Sequence, residues 1–276
     1  MANQSVVRNQ TYTREKAGHI ERHNERKNEH YGNGDVDLSR TDMNVHFKQS
    51  ETTYLQEFDR MIADGTISMK GLKKDGSAKI IDEMIFDVNS EYFEQKGGYE
   101  YAKSFFEEAY RMAVNEVGGE EYILSAVMHA DERNKVLSEK YGHDVYHYHL
   151  HVVYIPVVEK ECYFSKDNKN PELAGKLKEV ITQVSHSKKW ASHKEKDENG
   201  KEHLVYSYSL LQDRYHDHMK NAGYIGFDRG TRGSTKEHLD VVEYKMQQET
   251  ERAAAMTAVV EEKTEAAATL DAVIKG

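Results

Sequence analysis

Tyr146-His147-Tyr148-His149-Leu150-His151-Val152-Val153-Tyr154-Ile155-Pro156 is the stretch on which the fold turns. The run from Tyr146 to Val158 reads as one strand, nearly apolar on both faces and so central in a sheet. Successive side chains on a strand point to opposite faces, which puts His147, His149 and His151 on one side. Same-face neighbours stand roughly 7 Å apart, close enough for two adjacent imidazoles to converge on one ion. A third ligand comes more comfortably from a neighbouring strand. The preceding strand, Tyr122 to His129, ends on a histidine, and Asp131 and Glu132 follow at once. Those carboxylates can orient a ligand, complete the shell or act as a base. Imidazoles with no thiolate nearby point away from a closed structural zinc site. Three of them leave positions open for a substrate oxygen. Such a donor set suits Mn²⁺, with Mg²⁺ a poorer match for nitrogen.

Working outward, residues 14–31 are dense in charge and histidine and read as a helix or the loop leading into one. Residues 45–64 read as a strand followed by a helix. A turn at Lys74-Asp75-Gly76 precedes a strand from Ile80 to Val88. Tyr101, Phe105, Ala109, Met112 and Ala113 recur at spacings of three and four, which predicts an amphipathic helix over 98–117. Val117-Gly118-Gly119 closes it. Residues 130–144 are polar and read as a long turn or an extended hairpin tip. Asn170-Pro171 has the pattern of a helix start, with Leu173, Leu177, Val180, Ile181 and Val184 as its buried stripe. A hairpin tip is expected near Asn199-Gly200 and a helix over 209–222, ending at Gly223. A glycine- and arginine-rich loop, 226–234, follows. From Lys236 the chain reads as one long helix rich in Ala and Glu. That helix stops mid-pattern at Gly276, so a longer natural protein is expected.

The single cysteine, Cys162, excludes an intrachain disulfide and fits a reducing cytoplasm. No stretch approaches the roughly 20 apolar residues of a membrane helix. The net charge of -10 argues against nucleic acid as a partner. Its distribution weakens the objection. Residues 1–50 are nearly balanced, carrying Arg8, Arg14, Lys16, Arg22, Arg26, Lys27 and Arg40, while excess acid lies around 82–121 and in the tail. A local basic channel needs no more than that. The run His216-Asp217-His218 reads as a solvated surface, since adjacent residues on a helix point apart.

His23-Asn24-Glu25-Arg26, followed by His30, Asn33, Asp35, Ser39-Arg40 and Asn44, resembles the first motif of the MobV (Mob/Pre) family of plasmid-mobilisation relaxases. Ser125-Ala126-Val127-Met128-His129-Ala130-Asp131-Glu132 is similar to that family's His-x-Asp-Glu element. Tyr148-His149-Leu150-His151 is similar to its Pro-His-x-His strand. Arg229-Gly230-Thr231-Arg232-Gly233-Ser234 with Glu237-His238-Leu239 resembles its Arg-Gly-Ser-His-Leu signature. The four matches run in family order.

The resemblance implies an α+β fold of the histidine-hydrophobe-histidine (HUH) endonuclease type, an antiparallel sheet with helices packed on it. Residues 1–240 would form the nuclease domain. Residues 241–276 would be a helical extension suited to a coiled coil or a homodimer. The resemblance makes His23 the nucleophile, with Arg26 assisting at the phosphate and Glu132 beside the metal, and His129, His149 and His151 the metal ligands. The activity implied is site- and strand-specific nicking at a transfer origin, through a covalent 5′-phosphohistidine, on single-stranded or supercoiled DNA. Arg22, Lys27, Arg40, Arg229 and Arg232 are the expected DNA contacts. Glycines 226, 230 and 233 would let backbone N–H groups approach phosphates.

Two features depart from the family pattern. Arg133 to His147 intervenes between elements that are normally close, and Tyr148 replaces proline. His143 and His147 thereby compete as ligands. Tyr31 and Tyr12 are rival nucleophiles. A rolling-circle replication initiator would carry its tyrosine on a helix after the histidines, where Tyr215 stands. A metal-stabilised DNA-binding module without catalysis is the third reading.

Overall fold

β1 (Gln4–Thr13) runs directly into α1 (Arg14–Asn24), and β2 (Val45–Lys48) into α2 (Tyr54–Ala63), the latter opened by a Thr53/Gln56 capping box. β3 (Lys79–Val88), α3 (Ser90–Lys96), α4 (Gly98–Val117), β4 (Ile123–His129), α5 (Lys135–Tyr141) and β5 (His149–Tyr154) follow. Then come β6 (Val157–Tyr163), β7 (Leu177–Val184), α6 (His186–Lys189), β8 (His193–Lys196), β9 (Glu202–Val205), α7 (Ser207–Asn221) and β10 (Asp228–Arg229). The structure, a computed structural model, describes residues 3–232 and scattered positions between 250 and 264.

Six strands form one sheet in the order β10-β1-β3-β5-β4-β2, with β10 parallel to β1 and every other pair antiparallel. β6 pairs with β7 and β8 with β9 as separate two-stranded ribbons. This is the α+β architecture expected.

The pleat sorts the side chains. Met84, Phe86 and Val88 of β3 share a face with Leu150 and Val152 of β5, Ala126 and Met128 of β4, and Val7 of β1. That face packs against α3, α4 and α7 through Tyr92, Phe93, Phe105, Phe106 and Tyr215, all fully buried. Each such aromatic contributes roughly 1.5–3 kcal/mol through burial. Ile81, Glu83, Ile85 and Asp87 point the other way, together with His149, His151 and Val153. α1 and α2 cover one end of this second face with Ala17, Tyr54, Phe58 and Met61. The histidines lie on the part beyond.

Three elements differ from the sequence reading. The strand over 146–158 is shorter: β5 begins at His149, and Pro156 separates it from β6, which leaves the main sheet. Proline has no N–H for the ladder, so the break falls there. The helix expected from Asn170 is instead a turn followed by β7, whose ladder with β6 runs from Val157↔Val184 to Tyr163↔Leu177. Consecutive β-branched residues, Val180-Ile181-Thr182, favour that choice. Residues 130–144 contain α5, capped by Asn134, whose side chain accepts from the Leu137 N–H, and ended by Gly142 at φ 75°.

The chain divides into two compact units, residues 1–29 with 35–232, and residues 30–34 with 233–276. The first contains the sheet. In the second, the described positions between 250 and 264 are helical and exposed. The remainder of the expected C-terminal helix, the Glu237-His238-Leu239 element and the boundary at 240 lie outside the described residues. Among the described residues no helix is long and apolar enough to cross a membrane.

Candidate active site

His129 and His149 are register partners on β4 and β5, and His151 follows two residues on, on the same face. The imidazole centroids lie 5.1 Å apart for His129–His149, 4.6 Å for His129–His151 and 4.8 Å for His149–His151. Each ring has one nitrogen tied to an acceptor. His129 Nε2 donates to the Asn24 carbonyl at 2.9 Å, one of the free acceptors at the end of α1. His151 Nδ1 donates to Glu83 Oε1 at 2.8 Å, and His149 Nδ1 to the His147 carbonyl at 3.3 Å. The proton is fixed on those nitrogens, and the lone pair is left on the other. His129 Nδ1 and His151 Nε2 are buried with no hydrogen-bond partner. A buried acceptor without a partner is costly; a cation among these nitrogens satisfies them. The residues therefore fit a divalent metal.

The donor atoms form two overlapping groups, His23/His129/His151 and His129/Glu132/His149, each within 4.8 Å of one another. His129 belongs to both. Glu132, expected beside the metal, is thus in position to be a ligand. His23 sits one residue before the end of α1, its ring centroid 5.9 Å from His129 and 5.8 Å from His151. Burial, with His151 and Arg26 nearby, lowers the His23 pKa to about 4. The ring is therefore neutral, with a lone pair, at physiological pH. Burial likewise holds His129 and His149 well below the usual histidine range.

Arg26 follows α1 at φ 50°, a left-handed conformation uncommon outside glycine. Its side chain, 1% exposed, makes a two-pronged pair with Asp131, Nε to Oδ2 at 2.8 Å and NH2 to Oδ1 at 2.7 Å. NH2 also reaches Glu132 Oε1 at 3.0 Å, and NH1 the His23 carbonyl at 3.3 Å. Burial pushes the Glu132 carboxyl up, but His149 and Arg26 outweigh it and bring the pKa to about 2. With His149 neutral, Arg26 carries that effect. Asn44 donates to Asp131 Oδ2 at 2.8 Å and accepts from the Ala130 N–H at 2.7 Å, fastening the chain after β4.

The cations expected at DNA are spread over the first unit. Arg22 meets His19 at 2.9 Å and Lys27 pairs with Glu21 at 2.8 Å, both side chains exposed. Arg40 lies 3.7 Å over the Tyr146 ring. Arg229 and Arg232 both pair with Asp213, at 2.5 and 2.6 Å. Arg229 belongs to β10, an edge strand three places from β5 in the sheet, so these two arginines are not brought to the histidines.

His147 precedes β5. Its ring stacks on His149 at 4.9 Å, with Nδ1 3.0 Å from Ser90 Oγ and Nε2 3.6 Å from Asp87 Oδ2. His143 pairs with Glu94 on α3. Among the rival tyrosines, Tyr12 lies 2.7 Å from Glu83 Oε2. Tyr31 belongs to the second unit. Tyr215 is fully buried against Phe86, on the face opposite the histidines.

A model of the Mob/Pre family, described as plasmid recombination enzyme, matches residues 1–207. The chain belongs to this family. It is 26% identical over 226 residues to plasmid recombination enzyme type 2 of Staphylococcus aureus, covering 82% of this chain and 41% of that protein. A plasmid recombination enzyme of Bacillus sp is 25% identical over 231 residues, 83% of this chain and 42% of the relative. The chain thus spans about two fifths of the length of these curated relatives. Among solved structures it resembles the MobM relaxase domain, bound to plasmid pMV158 oriT DNA in a Mn-bound crystal structure at pH 6.8. The TM-score is 0.61 and the identity 22%, over 88% of this chain and 98% of that one. At that identity the likeness speaks for the fold.

One residue of this Mob/Pre site escapes a reading of the sequence, and another has a different partner from the one expected. Glu83 orients His151 and also accepts from Asn24 Nδ2 at 2.7 Å. Asp131 anchors Arg26 rather than a histidine. Both contacts span more than 60 residues of chain; the β3–β5 pairing discloses the first, and the packing of the end of α1 against the loop after β4 the second.

Proposed function

We propose that this chain is a metal-dependent DNA relaxase that nicks one strand at a transfer origin and becomes attached to it through His23. The observation that carries the reading is the neutral His23 ring within 6 Å of two buried histidines whose free nitrogens lack partners. His129, His149 and His151, with Glu132, would hold the metal; the Mn-bound relative and the nitrogen-rich donor set favour Mn²⁺ over Mg²⁺. When bound, the metal supplies Lewis-acid polarisation of a non-bridging phosphate oxygen.

The chain's own residues account for the rest. One His23 nitrogen attacks phosphorus as the bond to the 3′ oxygen breaks, and that oxygen leaves and takes up a proton. The other His23 nitrogen releases its proton to a nearby carboxylate, with Glu132 and Glu83 both electrostatically coupled to the ring. The product is a phosphoramidate on the 5′ end with a free 3′-hydroxyl, and the reverse transfer recloses the strand. Arg26, committed to Asp131 and Glu132, acts as a positioning residue that ties the end of α1 to the loop after β4 rather than as a direct phosphate contact. Arg22, Lys27 and Arg40 are the proposed DNA contacts of the first unit, with Arg229 and Arg232 at the far edge of the sheet.

The same reading assigns nicking to residues 1–240 and homodimer formation to residues 241–276. It places the chain in the cytoplasm with its single-stranded or supercoiled origin DNA. A tyrosine nucleophile at Tyr215 is disfavoured by its burial on the opposite face.

The test is nicking of single-stranded origin DNA from the parent mobile element with Mn²⁺. Wild type is compared with His23→Ala and Tyr31→Phe, following both the nick and the adduct. Loss of both in His23→Ala only, with an acid-labile wild-type adduct, is expected. An adduct that survives in His23→Ala would exclude the phosphohistidine mechanism. A wild type that binds the DNA but never cuts it would leave a binding module.

A further inference from the structure

Arg8 lies on the same face of the sheet as the histidines. The register runs Arg8↔Ile85↔His151 across β1, β3 and β5, and the neighbouring row runs Val6↔Asp87↔His149. The inward positions Ser5 and Val7 are buried, whereas Val6 and Arg8 are half-exposed and Gln10 is exposed. α1 covers the sheet from the Tyr12 end, and among the described residues Val6 and Arg8 at the other end are only half-buried. Two strand spacings separate the backbones of Arg8 and His151, about 10 Å, a gap that an extended arginine largely crosses.

The carboxylates near the histidines, Glu83, Asp87 and Glu132, repel a polyanion. Several cations in the first unit are already engaged: Arg26 by Asp131 and Glu132, Lys27 by Glu21, Arg229 and Arg232 by Asp213. The Arg8 side chain makes no hydrogen bond or ion pair among the described residues. Its charge reaches Asp87, where with His147 it opposes the upward push of burial on that carboxyl. A half-exposed guanidinium so placed is suited to a two-pronged hold on a phosphate.

We infer that Arg8 binds a backbone phosphate of the DNA strand beside the scissile one, so that β1 forms part of the floor along which the strand runs into the histidine cluster. This rests on the DNA reading above. If Arg8 served only to balance Asp87, its loss would alter stability and leave the dependence of DNA binding on salt untouched.

The experiment is fluorescence anisotropy of a labelled mixed-sequence single-stranded oligonucleotide over a series of salt concentrations, with EDTA present so that the strand stays intact. Wild type, Arg8→Gln and Arg8→Lys are compared. Arg8→Gln is expected to bind about tenfold more weakly at low salt. The slope of log K against log salt should shrink by about 0.7, the share of one phosphate contact on a single strand. Arg8→Lys should keep the slope and recover part of the affinity. An unchanged slope in Arg8→Gln overturns the inference, whatever happens to its melting temperature. A wild type that does not bind single strands at low salt overturns the DNA reading itself, a different failure.

Discussion

Glu83 and His151 sit on adjacent strands with Oε1 and Nδ1 2.8 Å apart, and this contact turns the unpartnered Nε2 of His151 toward His129 and His23. Glu83 is fully buried, and the electrostatic attraction and hydrogen bond of His151, with hydrogen bonds from Asn24 and Tyr12, keep its carboxyl below the ordinary range despite that burial. A carboxylate behind a metal-ligating imidazole fixes the tautomer and raises the ligand's basicity. Glu83→Gln should therefore weaken Mn²⁺ binding about 10–100-fold, as is usual for such outer partners. Calorimetric titration of Mn²⁺ into the stripped protein checks this. Unchanged affinity would mean that His151 needs no orienting partner, or is not a ligand.

The Arg26–Asp131 pair should be the most stability-critical ion pair of the site, since both side chains are within 1% of complete burial. Arg26→Ala leaves Asp131 as an uncompensated buried charge and should cost about 3–5 kcal/mol. The left-handed backbone at residue 26 adds a finer expectation. Arg26→Gly should be more stable than Arg26→Ala by about 1 kcal/mol, because glycine adopts that conformation without strain. Urea unfolding of the two variants decides both points. Equal stability of Ala and Gly would mean that the turn relaxes once the guanidinium is gone.

The histidine strand was legible because its period of two needs no tertiary information, and because His129 ends the strand before it. The order of motifs from His23 to Arg232 carried the family. Long-range partners were not legible. Glu83 is one carboxylate on an apolar strand until the β3–β5 register places it against His151. β1, with the irregular run Gln-Ser-Val-Val-Arg-Asn-Gln-Thr-Tyr-Thr, shows no alternation, because its second face is only half covered. The sequence of β7 mimics a helix because Leu177, Ile181 and Val184 fit a helical stripe. Its first half is exposed on a two-stranded ribbon, so burial imposed no visible period of two. α5 was hidden by its charge, although Asn134 and Gly142 are the capping residues that a short helix requires.

Stability without metal should fall as the pH is lowered. The His23 pKa is about 4 when folded against 6.5 for an ordinary histidine, and those of His129 and His149 are displaced in the same direction. Between those pH values the unfolded chain holds more protons than the folded one, so stability rises with pH across this window and is lost on acidification. For His23 the loss from about pH 6.5 down to about pH 4 is on the order of 3 kcal/mol. Thermal unfolding in EDTA across that range tests the direction. A melting temperature that climbs on acidification would require the histidines to be charged in the fold.

Tyr215 provides the sharpest test between a histidine and a tyrosine nucleophile placed after the metal strand. Its hydroxyl is buried without a hydrogen-bond partner, and burial pushes its pKa well above the ordinary value. Phe86, against which it packs at 5.0 Å, is the register partner of Leu150, whose side chain points away from the face carrying His149 and His151. Tyr215→Phe removes an unsatisfied polar atom from the core, so stability should hold or rise by up to about 1 kcal/mol, with nicking unchanged. Tyr215→Ala should cost about 3–5 kcal/mol through the cavity it leaves. Abolition of both nick and adduct in a stably folded Tyr215→Phe would transfer the covalent step to the opposite face of the sheet and overturn the assignment of His23.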